Sequence, residues 1–373
     1  MIPGPDGQYN VREKRESQMT ERNAAPSSVE EIFDKYVEGI KIIGQGAQAD
    51  TGQTPKEVIW TKNKAKLYHY QSETEKKYPV PILLIYALVN RSYILDLMPG
   101  NSFVEYLLGE GFDVYMLDWG IPGKEDKDLS FENYILDYMP RAVKKVLRNS
   151  GAEELTLFGY CMGGTMAAMY AALFPGKPLK NLVLLAAPID FAPEKSDLYG
   201  IWFSEKYQDP DLLIETFGNV PAPMAYAGTA MLRPITNYVG AYVTMWDLLV
   251  KEKPMEGWRA MNKWANDPVP VPGAAFKQWI EDFYQQNKLV KGEMKLRGRR
   301  VDLSNIECPV LNLAGEKDHL VFCGQAEATM DLIGSEDKDF VVLDAGHVGL
   351  VMGRSAKKSL WPQVSNWLEP RSE

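Results

Sequence analysis

Residues 155–164 read Leu-Thr-Leu-Phe-Gly-Tyr-Cys-Met-Gly-Gly, an apolar strand followed at once by a cysteine between glycines. Small residues at helical spacing come next, so the cysteine stands on a tight turn from strand to helix. Such a turn leaves no room for side chains two positions before and after its central residue, and Gly159 and Gly163 satisfy that demand. We therefore predict that Cys161 is a nucleophile, against the alternative of a small buried cysteine at a helix–strand contact.

Strands and helices alternate on both sides of this turn. The patterns predict strands at 81–89, 113–118, 155–158, 182–187, 309–314 and 340–343, and helices at 102–108, 131–149, 165–174 and 360–368. The first of these strands, PILLIYALV, is a continuous apolar run, which is typical of a strand covered on both faces. Such alternation predicts right-handed βαβ units, and hence an α/β protein with a mostly parallel sheet flanked by helices.

The periodicity changes twice along the chain. Residues 1–28 are polar and are interpreted as a leader, and a helix is predicted near 28–43, so 1–60 form an N-terminal segment. A β-hairpin is predicted around 58–70. Residues 192–300 hold five of the nine tryptophans and short, proline-punctuated helices. We interpret 192–300 as a helical cap inserted into a core made of 61–191 and 301–373.

Composition excludes several classes of function. The 373 residues carry a net charge of −9, and only three are cysteines, which argues against nucleic-acid binding and against a disulfide framework. No apolar stretch reaches the length of a membrane span, and the N-terminus lacks the apolar segment of a signal peptide, so we expect a cytoplasmic protein. There is no zinc-like cysteine and histidine spacing and no glycine-rich phosphate loop, so neither a metal nor a cofactor is expected.

The partners of Cys161 can be sought among few residues, because the chain has only three histidines. His347 follows the last predicted strand, where an α/β-hydrolase places its base, and Asp318 follows the strand at 309–314, where the acid should lie. The order Cys161, Asp318, His347 is the nucleophile–acid–histidine order of α/β-hydrolases. This order, together with the insertion at 192–300, predicts an α/β-hydrolase fold with a helical cap insertion.

Other residues compete for these roles. Asp118 also ends a strand and is a candidate for a displaced acid, although a structural role beside its tryptophan neighbour is preferred. His319 is an alternative base and a candidate for a residue near the substrate, whereas His69 in the hairpin is interpreted as structural. Cys308 is interpreted as buried packing. Cys323 follows the acid by five residues but lacks the glycine-flanked turn.

The chemistry assigns each residue a role. The helix N-terminus and His347 should favour the thiolate of Cys161, and His347 should accept its proton while Asp318 holds the tautomer. The oxyanion needs two backbone N–H groups, and we predict those of Met162 and of Val89 in the loop after the strand at 81–89. A cysteine that accepts an acyl group from a thioester forms another thioester, which favours transfer to an alcohol over hydrolysis.

The chain resembles the short polyhydroxyalkanoate synthases that work with a second, different subunit. The resemblance covers nearly the whole chain beyond the first 30 residues and depends on TPKEVIW (54–60), YALVNR (86–91), VYMLDWG (114–120), GYCMGG (159–164), DFYQQN (282–287), Asp318-His319 and Gly346-His347. The cysteine box together with DFYQQN is highly specific. Within the family the chain resembles the Bacillus-type class IV more than class III.

The resemblance implies that (R)-3-hydroxyacyl-coenzyme A, usually 3-hydroxybutyryl-coenzyme A, is polymerised into a polyester with release of coenzyme A. It implies Cys161 as the acylated nucleophile, Asp318 as the acid and His347 as the base, with coenzyme A as a leaving group and not a cofactor. We expect a small helical second subunit, a homo-oligomer, location at the surface of polyester granules, and weak activity alone, because the leader offers no core-forming pattern. The alternatives are a cysteine esterase, thioesterase or lactone hydrolase of the same fold, and a granule-coating scaffold without activity.

Overall fold

The computed structural model describes residues 29–45, 49–176, 178–192, 198–230 and 239–373. The predicted leader at 1–28 lies outside the described residues, as do parts of the predicted cap. Among the described residues, no helix is both long and apolar enough to cross a membrane.

One eight-stranded sheet forms the centre of the fold. Its strands are β1 (Lys56–Lys62), β2 (Ala65–Tyr70), β3 (Ile82–Ile85), β4 (Val114–Asp118), β5 (Leu155–Tyr160), β6 (Leu179–Leu185), β7 (Val310–Gly315) and β8 (Lys338–Leu343), in the spatial order β1-β2-β4-β3-β5-β6-β7-β8. The pairs β1–β2 and β2–β4 are antiparallel and all others in this sheet are parallel. The predicted hairpin and the predicted mostly parallel sheet are confirmed.

The central strands are buried because their sequences are apolar on both faces. Every residue of β3, β5 and β7 is buried, as expected for parallel strands covered by helices on both sides. The edge strand β8 has only intermediate and exposed residues instead. Because β3, β5, β7 and β8 run parallel, their carboxyl ends lie along one edge of the sheet, where a site can be built from the loops that follow.

The described residues also form α-helices of four or more residues. They are α1 (Val29–Gln45), α2 (Phe103–Glu110), α3 (Met139–Ser150), α4 (Met162–Leu173), α5 (Leu198–Trp202), α6 (Pro210–Phe217), α7 (Ala222–Ala230), α8 (Ala241–Val250), α9 (Glu256–Ala265), α10 (Gly273–Gln278), α11 (Cys323–Glu327), α12 (Thr329–Leu332), α13 (His347–Val351) and α14 (Trp361–Leu368). π-helical segments adjoin several of them, among them Tyr134–Tyr138 before α3, Trp279–Gln285 after α10, and Ala356–Leu360 before α14.

The chain divides into two compact units. The smaller comprises Met1–Ala49 and Arg233–Lys263, and the larger comprises Asp50–Leu232 and Trp264–Glu373. In the smaller unit, Ile42 of α1 packs in a buried cluster with Met245 and Leu249 of α8. The larger unit contains the sheet. The predicted cap at 192–300 is thus shared between the units, and β1 begins before residue 61, where the catalytic core is predicted to start.

Candidate functional site

The turn between β5 and α4 holds Cys161 in a conformation that few non-glycine residues adopt. Its φ of 56° and ψ of −132° place the residue at positive φ directly before the first helical residue. Its backbone N–H donates to the Leu185 carbonyl (2.8 Å), so the strand pairing continues up to the cysteine itself. Strain of this kind persists where the surrounding structure imposes it, and it is concentrated at functional sites.

The two glycines of the turn are required by close backbone approaches. A Cβ on Gly159 would lie 2.5 Å from the Cα of Gly164, and one on Gly163 would lie 2.7 Å from the carbonyl carbon of Tyr86. Real Cβ atoms do not approach other atoms so closely, and here the obstacles are backbone atoms that cannot swing aside. The glycines therefore let α4 begin directly against the backbone that follows β3.

Asp318 in the loop after β7 and His347 at the start of α13, which follows β8, meet in a buried hydrogen bond. His347 Nδ1 and Asp318 Oδ2 are 2.6 Å apart, and the two residues are only 7% and 4% exposed. The other carboxylate oxygen accepts from the backbone N–H groups of Leu320 (2.8 Å) and Val321 (3.0 Å). The hydrogen bonds to both carboxylate oxygens thus hold Asp318 in an orientation that faces the imidazole.

The charges of the site favour a protonated imidazole. Burial lowers the pKa of His347, but the nearby side chains of Asp318 and Cys161, with the hydrogen bond to Asp318, raise it to about 10. Burial raises the pKa of Asp318, but His347 and two backbone donors outweigh it, so the net direction is downward. The structure therefore brings Cys161, His347 and Asp318 together: Asp318 is hydrogen-bonded to His347, and Cys161 is close enough for its charge to act on the imidazole, which can hold a proton taken from the thiol.

Candidate oxyanion donors flank the thiol. Met162 is the first residue of α4, so its N–H belongs to the helical turn whose donors have no acceptor within the helix. Val89 lies four residues after β3, in the loop whose buried residues 86–88 pass the start of α4. That loop is held by Trp119, whose indole N–H donates to the Tyr86 carbonyl (2.8 Å).

Two other residues considered from the sequence, Asp118 and His69, are engaged in hydrogen bonds with residues outside the Cys161, Asp318 and His347 group. Asp118 accepts from the N–H of Gly120 (2.8 Å) in its own turn and from the hydroxyl of Ser92, so both of its oxygens have hydrogen-bond partners. His69 is paired with Asp113 (2.8 Å) near the amino end of β4, the opposite end of that strand from the carboxyl edge.

The remaining candidates lie near β7. His319 follows Asp318 in the loop after β7 and is partly exposed. Cys323 donates its thiol to the Gly315 carbonyl (3.3 Å) at the end of β7. Burial raises the pKa of Cys308 to about 12, which keeps that thiol protonated and unreactive.

Sequence reasoning missed the role of Tyr160 and the structural meaning of DFYQQN. The Tyr160 hydroxyl donates to the backbone carbonyl of His347 (3.0 Å). In DFYQQN, Gln285 donates to the carbonyls of Phe203 and Gln208, and Asn287 accepts from the Phe191 N–H (3.0 Å). The segment therefore ties the chain after β6 to the helices beyond it. In the sequence, only the position of Tyr160 next to the predicted nucleophile indicated that this tyrosine could have a role at the site.

Two family models match the chain. The model described as "alpha/beta hydrolase fold" matches residues 80–353, and the model described as "Poly-beta-hydroxybutyrate polymerase (PhaC) N-terminus" matches residues 44–107. A solved structure of a soluble variant of monoglyceride lipase from Saccharomyces cerevisiae superposes with a TM-score of 0.55 at 16% identity, covering 88% of this chain and 98% of that chain. The predicted α/β-hydrolase fold is confirmed.

Relatives of similar sequence carry one name. The chain is 42% identical over 330 residues to "Poly(3-hydroxyalkanoate) polymerase subunit PhaC" of Haloferax mediterranei. The alignment covers 88% of this chain and 66% of that relative. It is 37% identical over 349 residues to the protein of the same name from Synechocystis sp.. That alignment covers 91% of this chain and 92% of the relative. The match thus extends over nearly the full length of the second relative.

Proposed function

Because the chain belongs to the family of poly(3-hydroxyalkanoate) polymerase PhaC subunits, we propose that it polymerises 3-hydroxyacyl-coenzyme A into a polyester on Cys161. The observation that carries the proposal is the thiol on a strained strand-to-helix turn, beside a buried and hydrogen-bonded histidine–aspartate pair. An activated cysteine beside an oriented base is the arrangement that acyl transfer through a covalent intermediate requires.

The first half-reaction charges the enzyme. His347 takes the thiol proton, and the thiolate of Cys161 attacks the thioester carbonyl of the substrate. The oxyanion that forms would accept from the N–H of Met162 and from a second N–H in the loop after β3, for which Val89 is the candidate. The carbonyl then re-forms, the C–S bond to coenzyme A breaks, and the imidazolium returns the proton to the departing thiolate. The product is an acyl-cysteine and free coenzyme A.

The second half-reaction extends the chain. His347 accepts the proton of a hydroxyl at the end of a hydroxyacyl unit, and that oxygen attacks the acyl-cysteine carbonyl. The new ester bond forms as the Cys161 thiolate leaves and recovers its proton. Because the acyl group remains a thioester until this step, it stays activated for transfer to an alcohol. Asp318 stabilises the imidazolium in both halves.

The finer proposals concern substrate, subgroup and partner. We propose (R)-3-hydroxybutyryl-coenzyme A as substrate and membership of the class IV subgroup, on the strength of the motifs around Cys161 and at 282–287. We further propose a small helical second subunit, a homo-oligomer, and assembly at the polyester granule. Exposed apolar side chains within each unit support hydrophobic contacts of this kind, namely Phe33, Tyr36 and Val243 in the smaller unit and Tyr207, Leu212 and Phe217 in the larger.

The test is incubation of the purified chain with 3-hydroxybutyryl-coenzyme A, with and without a co-expressed small subunit. Free coenzyme A is measured with a thiol reagent, and polymer and free 3-hydroxybutyrate are separated and quantified. The proposal predicts coenzyme A release coupled to polymer, none with Cys161→Ala, and activity close to wild type with Cys308→Ala. Release coupled to free acid alone would identify a hydrolase. Lag-free polymerisation at full rate by the chain alone would refute the proposal that a second subunit is needed.

A further inference from the structure

Tyr160 touches the candidate base in two ways. It is the last residue of β5 and directly precedes Cys161, and it is 2% exposed. Its ring lies against the imidazole of His347, with centroids 5.1 Å apart and planes at 25°. Its hydroxyl donates to the backbone carbonyl of the same histidine at 3.0 Å. One side chain thus holds both the ring and the backbone of His347.

These contacts supply constraints that the aspartate cannot. The hydrogen bond to Asp318 fixes one imidazole nitrogen but leaves the ring plane free to turn about that bond. A stacked ring restricts the plane, and the bond to the carbonyl restricts the position of residue 347 itself. Tyr160 is in turn fixed by β5, the strand that carries Cys161, and by the ring of Tyr86 at 5.7 Å. Thiol and base are therefore tied to the same buried strand.

The hydroxyl is a dependable donor. Burial, together with nearby negative charge, raises the pKa of Tyr160 well above its usual value, so the phenol stays protonated throughout the working range. A buried donor of this kind is satisfied only by an acceptor within the protein, and here the acceptor is the carbonyl of His347.

We infer that Tyr160 is a positioning residue, which sets the imidazole of His347 between Cys161 and Asp318. The inference rests on the proposed function for the role of His347 as base. A misplacement of about 1 Å at a reacting group can cost roughly a hundredfold in rate, so modest rotation of the ring is enough to matter.

Two substitutions separate the contacts. Tyr160→Phe keeps the ring and removes the hydroxyl, and Tyr160→Leu removes both. The matched control is Tyr170→Phe, which removes the hydroxyl of another buried tyrosine, one that lies in α4 and stacks on Phe174. Each variant is first compared with wild type by thermal unfolding.

The main readout is the rate at which iodoacetamide alkylates Cys161, followed by peptide mass spectrometry from pH 5 to 9 without any acyl substrate. Tyr160→Phe should slow alkylation near pH 6 by roughly three- to tenfold and move the acid limb of the profile upward by about half to one pH unit. Tyr160→Leu should slow alkylation further and move the acid limb further upward, because it also removes the stacked ring. Tyr170→Phe should match wild type. Coenzyme A release should show a lower kcat with KM unchanged for Tyr160→Phe.

A wild-type alkylation profile and kcat for Tyr160→Phe would overturn the inference, and so would a fall in thermal stability with an unchanged profile, since that result marks a packing role. Because alkylation needs no hydroxyacyl substrate, the outcomes are separable. A profile that depends on Tyr160 in an enzyme that forms no polymer would refute the proposed function and leave the positioning role intact.

Discussion

A methyl group added at Gly163 would strike the backbone at the end of β3 and at the start of the loop that follows it. Its Cβ would lie 2.7 Å from the carbonyl carbon of Tyr86 and 2.8 Å from that of Ile85, and closer still to the Ile85 carbonyl oxygen. Ordinary contacts are 3.4 Å or longer, so α4 and the loop must separate by roughly 1 Å. Overpacking costs about 1–3 kcal/mol, and because the atoms struck are backbone, we expect Gly163→Ala to cost about 3 kcal/mol.

The catalytic cost should exceed the loss of stability. The N–H of Met162, the residue before Gly163, is a proposed oxyanion donor, and a displacement of about 1 Å at such a group costs roughly a hundredfold in kcat. The assay pairs a urea denaturation curve with initial rates of coenzyme A release. The control is Gly109→Ala in α2, where a Cβ would meet nothing within 4 Å, so we expect a gain of about 0.5–1 kcal/mol and an unchanged rate.

The result that would refute this reasoning is a Gly163→Ala variant with the urea midpoint and kcat of the wild type. It would mean that the start of α4 is not held against the backbone after β3, and that the geometry of the turn is not what positions Met162. A loss of stability alone, with full kcat, would refute only the oxyanion role.

Three further predictions concern other residues. His347→Gln should lower coenzyme A release by about 10⁴-fold and Asp318→Asn by less, whereas His319→Gln should stay within about threefold; equal damage from the two histidine variants would mean that the base is misassigned. The pKa of half-buried His69 is raised, chiefly by its hydrogen bond to a carboxylate, so the charge on this histidine stabilises the fold below about pH 6.5 and less as pH rises through the folded pKa. His69→Gln should therefore cost about 0.5–1 kcal/mol at pH 6 and less at pH 9 in urea midpoints, and equal costs would contradict the pairing. Trp119→Phe should lower kcat about fivefold with little change in KM, because the loop after β3 loses a buried hydrogen bond; an unchanged kcat would show that this bond does not hold the loop.

Sequence patterns predicted the structural elements that are determined by residues adjacent in the sequence. The turn at Cys161 was readable because its glycines, strand and helix are contiguous in the sequence. The predicted strand at 81–89 was too long, since the structure ends β3 at Ile85. The apolar run continues because residues 86–88 form a buried loop, and burial, unlike periodicity, does not distinguish a strand from a loop.

Features that depend on distant residues were not predictable. Ile42 packs with Met245 and Leu249, about 200 positions away, and no periodicity states which helices will meet. The bond from Tyr160 to His347 spans 187 positions for the same reason. The π-helical turn at Tyr134–Tyr138 lies within a run that was predicted as a regular helix, because its apolar spacing resembles that of an α-helix.

The most direct test of the central claim is to locate the acyl group. The chain is mixed with 3-hydroxybutyryl-coenzyme A, quenched in acid within the first turnovers, digested and analysed by peptide mass spectrometry. The account predicts a hydroxybutyryl thioester on the peptide that contains Cys161, retained in Cys308→Ala and Cys323→Ala and lost in Cys161→Ala. An acyl group on Cys308 or Cys323, or coenzyme A release from Cys161→Ala at the wild-type rate, would contradict it.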